Sequence, residues 1–135
     1  MTLSAVATLP LLTMTEALPG FPDHRDYVLV TADGDGRLFW LQSMAPEGPR
    51  FIAVDPGTYF PDYAPVLPAA VCLDLELDDP AEARLYCLVT VPAEGPAAAT
   101  ANLRAPLVLD TGARRGRQVV LPAEPRGVCE PLALG

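Results

Sequence analysis

The sequence is poor in the groups that do chemistry. It has no lysine, a single histidine (His24) and only two serines (Ser4 and Ser43). Neither serine sits in a GxSxG elbow, and no glycine-rich phosphate loop or dinucleotide fingerprint is present. His24 lies beside Asp23 and Asp26, but a metal site needs more nitrogen or sulfur ligands at short spacing, so it reads as an ordinary surface residue. Paired carboxylates such as Asp78 and Asp79 are too generic to nominate as acid and base. No catalytic residue, metal ligand or cofactor is therefore assigned. The nine basic residues are all arginine and face seventeen acidic ones, for a formal charge of −8. Phosphate recognition needs clustered cations, so nucleic acid is a poor partner. A basic protein is a better one, steered by opposite charge, unless the acidity serves only solubility.

Three cysteines, Cys72, Cys87 and Cys129, form no CxxC pair and leave an odd thiol. That suits free thiols in a reducing compartment better than a disulfide framework. Residues 1–14 are apolar but carry no Lys or Arg and are broken by Pro10, unlike a signal peptide, and are too short to span a bilayer. The expected location is cytoplasmic, away from any membrane. Sixteen prolines and ten glycines in 135 residues argue against long helices. They favour many short elements joined by turns, in one domain over residues 1–135.

What is present is a series of short Val- and Leu-rich runs bounded by Pro, Gly and Asp, as strands are. Leu9–Thr15, Tyr27–Val30, Leu38–Leu41, Phe51–Val54, Leu85–Val91, Leu107–Leu109 and Val119–Leu121 read as strands. The Asp33-Gly34-Asp35-Gly36 turn makes a hairpin of the second and third. A calcium loop built on that turn would begin at Thr31 and end at Gln42, the wrong ligands. Thr111–Gly116 reads as a polar hairpin loop. The connection ending in Thr100-Ala101-Asn102-Leu103-Arg104 shows no core periodicity and is a candidate recognition loop. Tyr59, Phe60 and Tyr63 cluster around Pro61, either at an interface or sealing a barrel end. Val71–Asp79 alternates apolar and polar residues with period two, yet Pro68-Ala69-Ala70 suits a helix start. Asp74, Glu76, Asp78, Asp79 and Glu82 form a solvated face or a patch that attracts a cation.

Several segments together resemble the flagellar assembly factor FliW family. They are Leu18-Pro19-Gly20-Phe21 with Tyr27-Val28-Leu29, Phe39-Trp40-Leu41-Gln42-Ser43 and Phe60-Pro61-Asp62-Tyr63. They continue with Thr90-Val91-Pro92, Thr100-Ala101-Asn102-Leu103 with Ala105-Pro106, and Gly116–Leu121. Their order and spacing span about residues 11 to 121. The segments 1–10 and 124–132 match the family loosely. The resemblance implies a mostly β fold: a small antiparallel β-barrel-like domain with one or two short helical turns, one of them near Val71–Leu77. It implies a cytoplasmic, non-enzymatic protein that binds flagellin before export and also binds the translational regulator CsrA. Captured CsrA cannot repress flagellin mRNA, and accumulating flagellin frees it again. The free protein is expected to be monomeric. The expected partner-binding residues are Phe60, Asp62, Tyr63, Thr100, Asn102 and Arg104, with Asp74, Glu76, Asp78 and Asp79 as the acidic patch. The competing class is a small-ligand or enzymatic barrel; a module that only self-associates is a third.

Overall fold

A computed structural model of the chain describes residues 11–33, 37–77, 79, 82–110 and 112–132. Its elements in order are β1 (Leu12–Met14), β2 (Asp26–Thr31), β3 (Leu38–Ser43), β4 (Arg50–Val54), α1 (Pro56–Tyr59), α2 (Ala69–Asp74), β5 (Arg84–Thr90), β6 (Thr100–Ala101), β7 (Leu107–Asp110), β8 (Arg115–Gln118) and β9 (Glu130–Pro131). The strands run β4-β3-β2-β1-β8-β7-β5, and a further β4–β5 pairing closes them into a seven-stranded barrel. Every pair is antiparallel except β1 with β8. Those two strands come from distant parts of the chain, so no hairpin dictates their direction. β5 makes closure work. Its first half pairs with β7, its last two residues pair with β6, and its other edge takes β4 at Cys87–Val89.

Alternation decides what fills the barrel. Leu12, Met14, Tyr27, Leu29, Leu41, Ala53, Tyr86, Leu107 and Leu109 point inward, joined by Phe39, Phe51 and Leu88. The Phe39 and Tyr86 rings meet edge to face at 5.2 Å, a favoured aromatic geometry. The turn at Pro19-Gly20 puts Phe21 5.3 Å from Phe51 and buries Leu18. Gly20 has φ of +87°, which glycine adopts without strain.

Two further apolar clusters lie outside the wall. Val108, between inward Leu107 and Leu109, packs with Val71, Leu75, Val119 and Leu121 beneath α2. Cys87 and Val54 pack with Ala99, Ala101, Leu103 and Leu132. Strands buried on both faces read as continuous apolar runs, which is why Leu107–Leu109 shows no polar alternation.

Two expectations change here, and one left open is decided. Val71–Leu77 takes the helical alternative. Residues 69–74 form α2, which buries Val71 and Leu75, an i,i+4 pair, while Leu73 is 78% exposed. This agrees with the helix that the resemblance implies. The eighth strand is Arg115–Gln118 rather than Val119–Leu121, whose side chains instead seal the α2 cluster. The connection before β7 is core: Ala99, Ala101, Leu103 and Ala105 alternate and are all buried. Residues 9–10 of the first expected strand, and residues 34–36 of the Asp-Gly turn, lie outside the described residues.

Arg115 and Gly116, read from the sequence as the end of the Thr111–Gly116 loop, belong instead to β8, where Gly116 is required. A Cβ on Gly116 would stand 2.4 Å from Leu109 Cδ2 and 3.2 Å from Met14 Cε. Gly116→Ala is expected to lose about 1–3 kcal/mol through overpacking. Urea denaturation monitored by circular dichroism measures it, and an unchanged midpoint contradicts this packing.

Candidate protein-binding surfaces

The aromatic cluster and the Asn102–Arg104 loop, far apart in sequence, meet in space. Asp55 caps α1 by accepting the Gly57 N–H, and the Phe60 amide donates to the Pro56 carbonyl. The chain then turns so that Tyr59, Phe60 and Tyr63 pack on Val54, Cys87, Ala101 and Leu103. The Tyr63 hydroxyl donates to the Leu103 carbonyl at 2.7 Å. Asn102 Oδ1 accepts the Ala105 N–H at 3.0 Å, and the Arg104 guanidinium donates to the Glu124 carbonyl at 3.2 Å. The Arg126 guanidinium lies 5.9 Å from the Phe60 ring. Thr100 is half-buried in β6, between Thr90 and Pro131. Of the candidates Phe60, Asp62, Tyr63, Thr100, Asn102 and Arg104, only Asp62 is exposed; the others are half-buried. The polar atoms chosen from sequence for recognition thus tie the chain to itself, and the aromatics seal one flank of the barrel.

The acidic stretch sits on a separate flank, beside α2. Asp74 accepts the Thr15 hydroxyl and lies 3.4 Å from the Arg117 guanidinium, which also meets Glu16 at 3.3 Å. Glu76 pairs with Arg115, whose guanidinium also donates to the Leu75 carbonyl. Glu76 ends α2 in the left-handed region, φ +56°. There the Leu77 amide bonds to the Cys72 carbonyl and the Glu76 amide to the Leu73 carbonyl, closing the helix in a Schellman turn. Glu82 accepts the Asp79 N–H, and Asp79 is exposed. Asp78 lies outside the described residues. Five described carboxylates (Glu16, Asp74, Glu76, Asp79 and Glu82) share this region with Arg115, Arg117 and Arg25, whose guanidinium donates to the Thr15 carbonyl, so carboxylates outnumber these arginines.

His24 is more engaged than a surface residue. Its Nδ1 lies 3.2 Å from Ser43 Oγ, which also accepts the Ala45 N–H at 3.1 Å. Ser43 is 6% exposed, and a Cβ on Gly48 would stand 2.2 Å from its Oγ. The pair fastens the turn after β3, beside a cleft of about 240 Å³ lined by Asp23, His24, Asp26 and Ser43. A cleft of about 340 Å³ between α1 and the start of β5 is lined by Asp55, Tyr63 and Arg84 among others. Asp55 is engaged as the α1 cap and Tyr63 on Leu103. No group of three His, Cys, Asp or Glu side chains among the described residues is placed to hold a metal ion. No described helix is long and apolar enough to cross a membrane.

All three cysteines are free: Cys87 is buried and Cys129 exposed. Burial pushes the Cys87 thiol up to about 12, and burial likewise raises the adjoining Tyr63 phenol. A raised folded pKa favours the protonated form on folding. The stability Cys87 contributes is complete below its ordinary value of 9.0 and is lost as pH climbs toward about 12. Denaturation midpoints are expected to fall from pH 9 upward, and Cys87→Ala to lessen the fall. Tyr63→Phe is expected to lower stability by about 1 kcal/mol at neutral pH by stranding the Leu103 carbonyl, read from the urea midpoint.

Comparison with known proteins bears on this architecture. The family model described as FliW protein matches residues 2–132. The flagellar assembly factor FliW of Moorella thermoacetica is 34% identical over 111 residues, covering 82% of this chain and 70% of that protein. Its namesake in Bdellovibrio bacteriovorus is 36% identical over 121 residues, covering 90% and 69%. That of Symbiobacterium thermophilum is 37% identical over 120 residues, covering 87% and 86%. A crystal structure of the flagellar assembly factor FliW superposes with a TM-score of 0.82 at 24% identity, covering 100% of this chain and 90% of that one. The last match speaks for the fold alone; the family model and the relatives settle kinship, and the chain belongs to the FliW family.

Proposed function

We propose that this protein is a non-enzymatic flagellar assembly factor that holds flagellin and captures CsrA. The capture relieves repression of flagellin mRNA until flagellin displaces the regulator. The observation that carries this reading is the family match over residues 2–132, with relatives that bear the name flagellar assembly factor. The chemistry supports it. The polar groups that could serve catalysis are engaged in turns, caps and ion pairs, and the net charge of −8 suits a basic RNA-binding partner. The protein acts as a single unit over residues 1–135, monomeric when free, in the cytoplasm.

Within this reading the ten candidate residues divide by role. Asp62, Asp74, Glu76, Asp78 and Asp79 meet a basic partner. Phe60, Tyr63, Thr100, Asn102 and Arg104 fix the shape of the neighbouring flank. The pairs Asp74–Arg117 and Glu76–Arg115 are partly solvent-exposed, so screening keeps each weak, at about 0–1 kcal/mol, and a partner's guanidinium can replace them. Long-range attraction then sets the association rate more than the final affinity. Stopped-flow mixing with CsrA at rising ionic strength is expected to slow association steeply and leave dissociation nearly unchanged. Asp79→Arg is expected to slow association several-fold. Equal salt effects on both rates remove the electrostatic assignment, and failure to bind either flagellin or CsrA removes the function.

A further inference from the structure

Among the described residues, one wall of the barrel has no further layer packed over it. Helix α2 packs over Val108, and β6 with β9 lies against Cys87 and Val54. Among the described residues nothing comparable covers β2, β3 and the first half of β4, where Val28, Val30, Trp40 and Ile52 are half-buried. There the inward positions are Tyr27, Leu29, Phe39, Leu41, Phe51 and Ala53. Alternation turns Val28, Val30, Trp40, Gln42, Arg50 and Ile52 outward. Register lines up Val30 with Trp40 and Trp40 with Ile52. Ile52 is in turn paired with Val89. Val28, Val30, Trp40 and Ile52 belong to none of the buried clusters. Met44, next outward on the same side of β3, is 56% exposed.

The single tryptophan of the chain stands in the middle of this row. The Arg50 guanidinium lies over its ring at 4.1 Å. Among the described residues no carboxylate forms an ion pair with Arg50, whereas Arg115 and Arg117 on the other flank are both paired. Arg37, at the start of β3, is exposed too. The carboxylates bordering the wall are Asp26 and Glu47 at one end, where Asp26 accepts the Thr13 hydroxyl at 3.2 Å, and Asp33 and Asp55 at the other, both engaged with backbone N–H groups. The exposed Gln42 amide beside Trp40 makes no hydrogen bond to a described residue. A Trp with an adjacent Arg inside an apolar frame is the composition that dominates interface energetics.

We propose that this wall is a second docking surface, for a protein segment with apolar side chains along one face and carboxylates flanking them. Apolar groups would cover Val28, Val30, Trp40, Met44 and Ile52, and a carboxylate would take the Arg50 guanidinium while it still stacks on Trp40. The chemistry is opposite in sign to that of the α2 flank. The occupants of the two surfaces therefore differ, and one can stay while the other leaves. Within a molecule of charge −8, an acidic segment is repelled at long range and attracted only locally. Salt screens the repulsion more than the contact, so binding here strengthens, or holds, where binding at α2 weakens. The inference rests on the reading that the protein works by holding other proteins.

Trp40, being alone, reports on its own surroundings. Two tryptophan-free amphipathic helical peptides serve as probes, identical in their Leu and Phe positions, one flanked by Glu and one by Lys. The Glu-flanked peptide is expected to shift Trp40 emission to the blue, protect it from acrylamide, and bind about tenfold more tightly than the other. Arg50→Glu is expected to reverse that preference. Met44→Glu, at an exposed position, is expected to weaken the Glu-flanked peptide by a similar factor with the unfolding midpoint unchanged. No response to either peptide, or preference for the Lys-flanked one by the unaltered protein, overturns the assignment. Flagellin or CsrA binding that persists alongside such a failure leaves the proposed function standing. Peptide binding with neither protein bound keeps this surface and removes that function.

Discussion

Where β5 meets β4, Val54 pairs with Cys87 and Ile52 with Val89, and an otherwise open twisted sheet becomes a ring. An open sheet of seven strands would leave two long edges with unpaired N–H and C=O groups, an invitation to other chains. Closure removes both and encloses an interior of Leu, Met, Phe and Tyr side chains. It also divides the outer surface. β5 and β7 are covered by α1, α2 and the β6–β9 pair, while among the described residues the β2–β4 wall carries no such layer. The two proposed docking surfaces both follow from a ring whose inside is full and whose outside is covered on one part only.

The same closure explains how polar groups are used. A short chain wrapped around a barrel has many turns, and each turn strands backbone groups that need partners. Asp55, Asn102 and Asp110 accept backbone N–H groups in their turns, and Tyr63 donates to the carbonyl of Leu103. Ser43 accepts from Ala45 and meets His24. These are residue types that a reader searching for chemistry would select first. Here they hold corners.

Much of the fold is legible in the sequence, because strands β2 to β5 and β7 are Val- and Leu-rich runs between breakers. What is illegible has particular causes. Arg115–Gln118 hides as a strand because its inward position is a glycine with no room for a side chain. The buried row Ala99, Ala101, Leu103, Ala105 hides because alanine carries little hydrophobic signal; the period of two is there once small residues are counted. In α2 the local alternation points to the wrong state, since Val71 and Leu75 satisfy both a helix and a strand pattern and only packing on Val108 decides. For the candidate surface, sequence names the acidic flank but not its guanidinium partners, which come from β8. It passes over Trp40, since inward and outward aromatics look alike until the register is known.

The parallel contact between β1 and β8 is small, only Thr13 with Arg115 and Met14 with Gly116, yet it joins the two distant parts of the chain. No ribosome-bound fragment that stops short of β8 can make it. The nascent polypeptide must therefore wait, with Leu12 and Met14 lacking their final neighbour, until synthesis has passed residue 118. Closure of the ring is therefore a late event, and the surfaces that depend on it take their final shape only then.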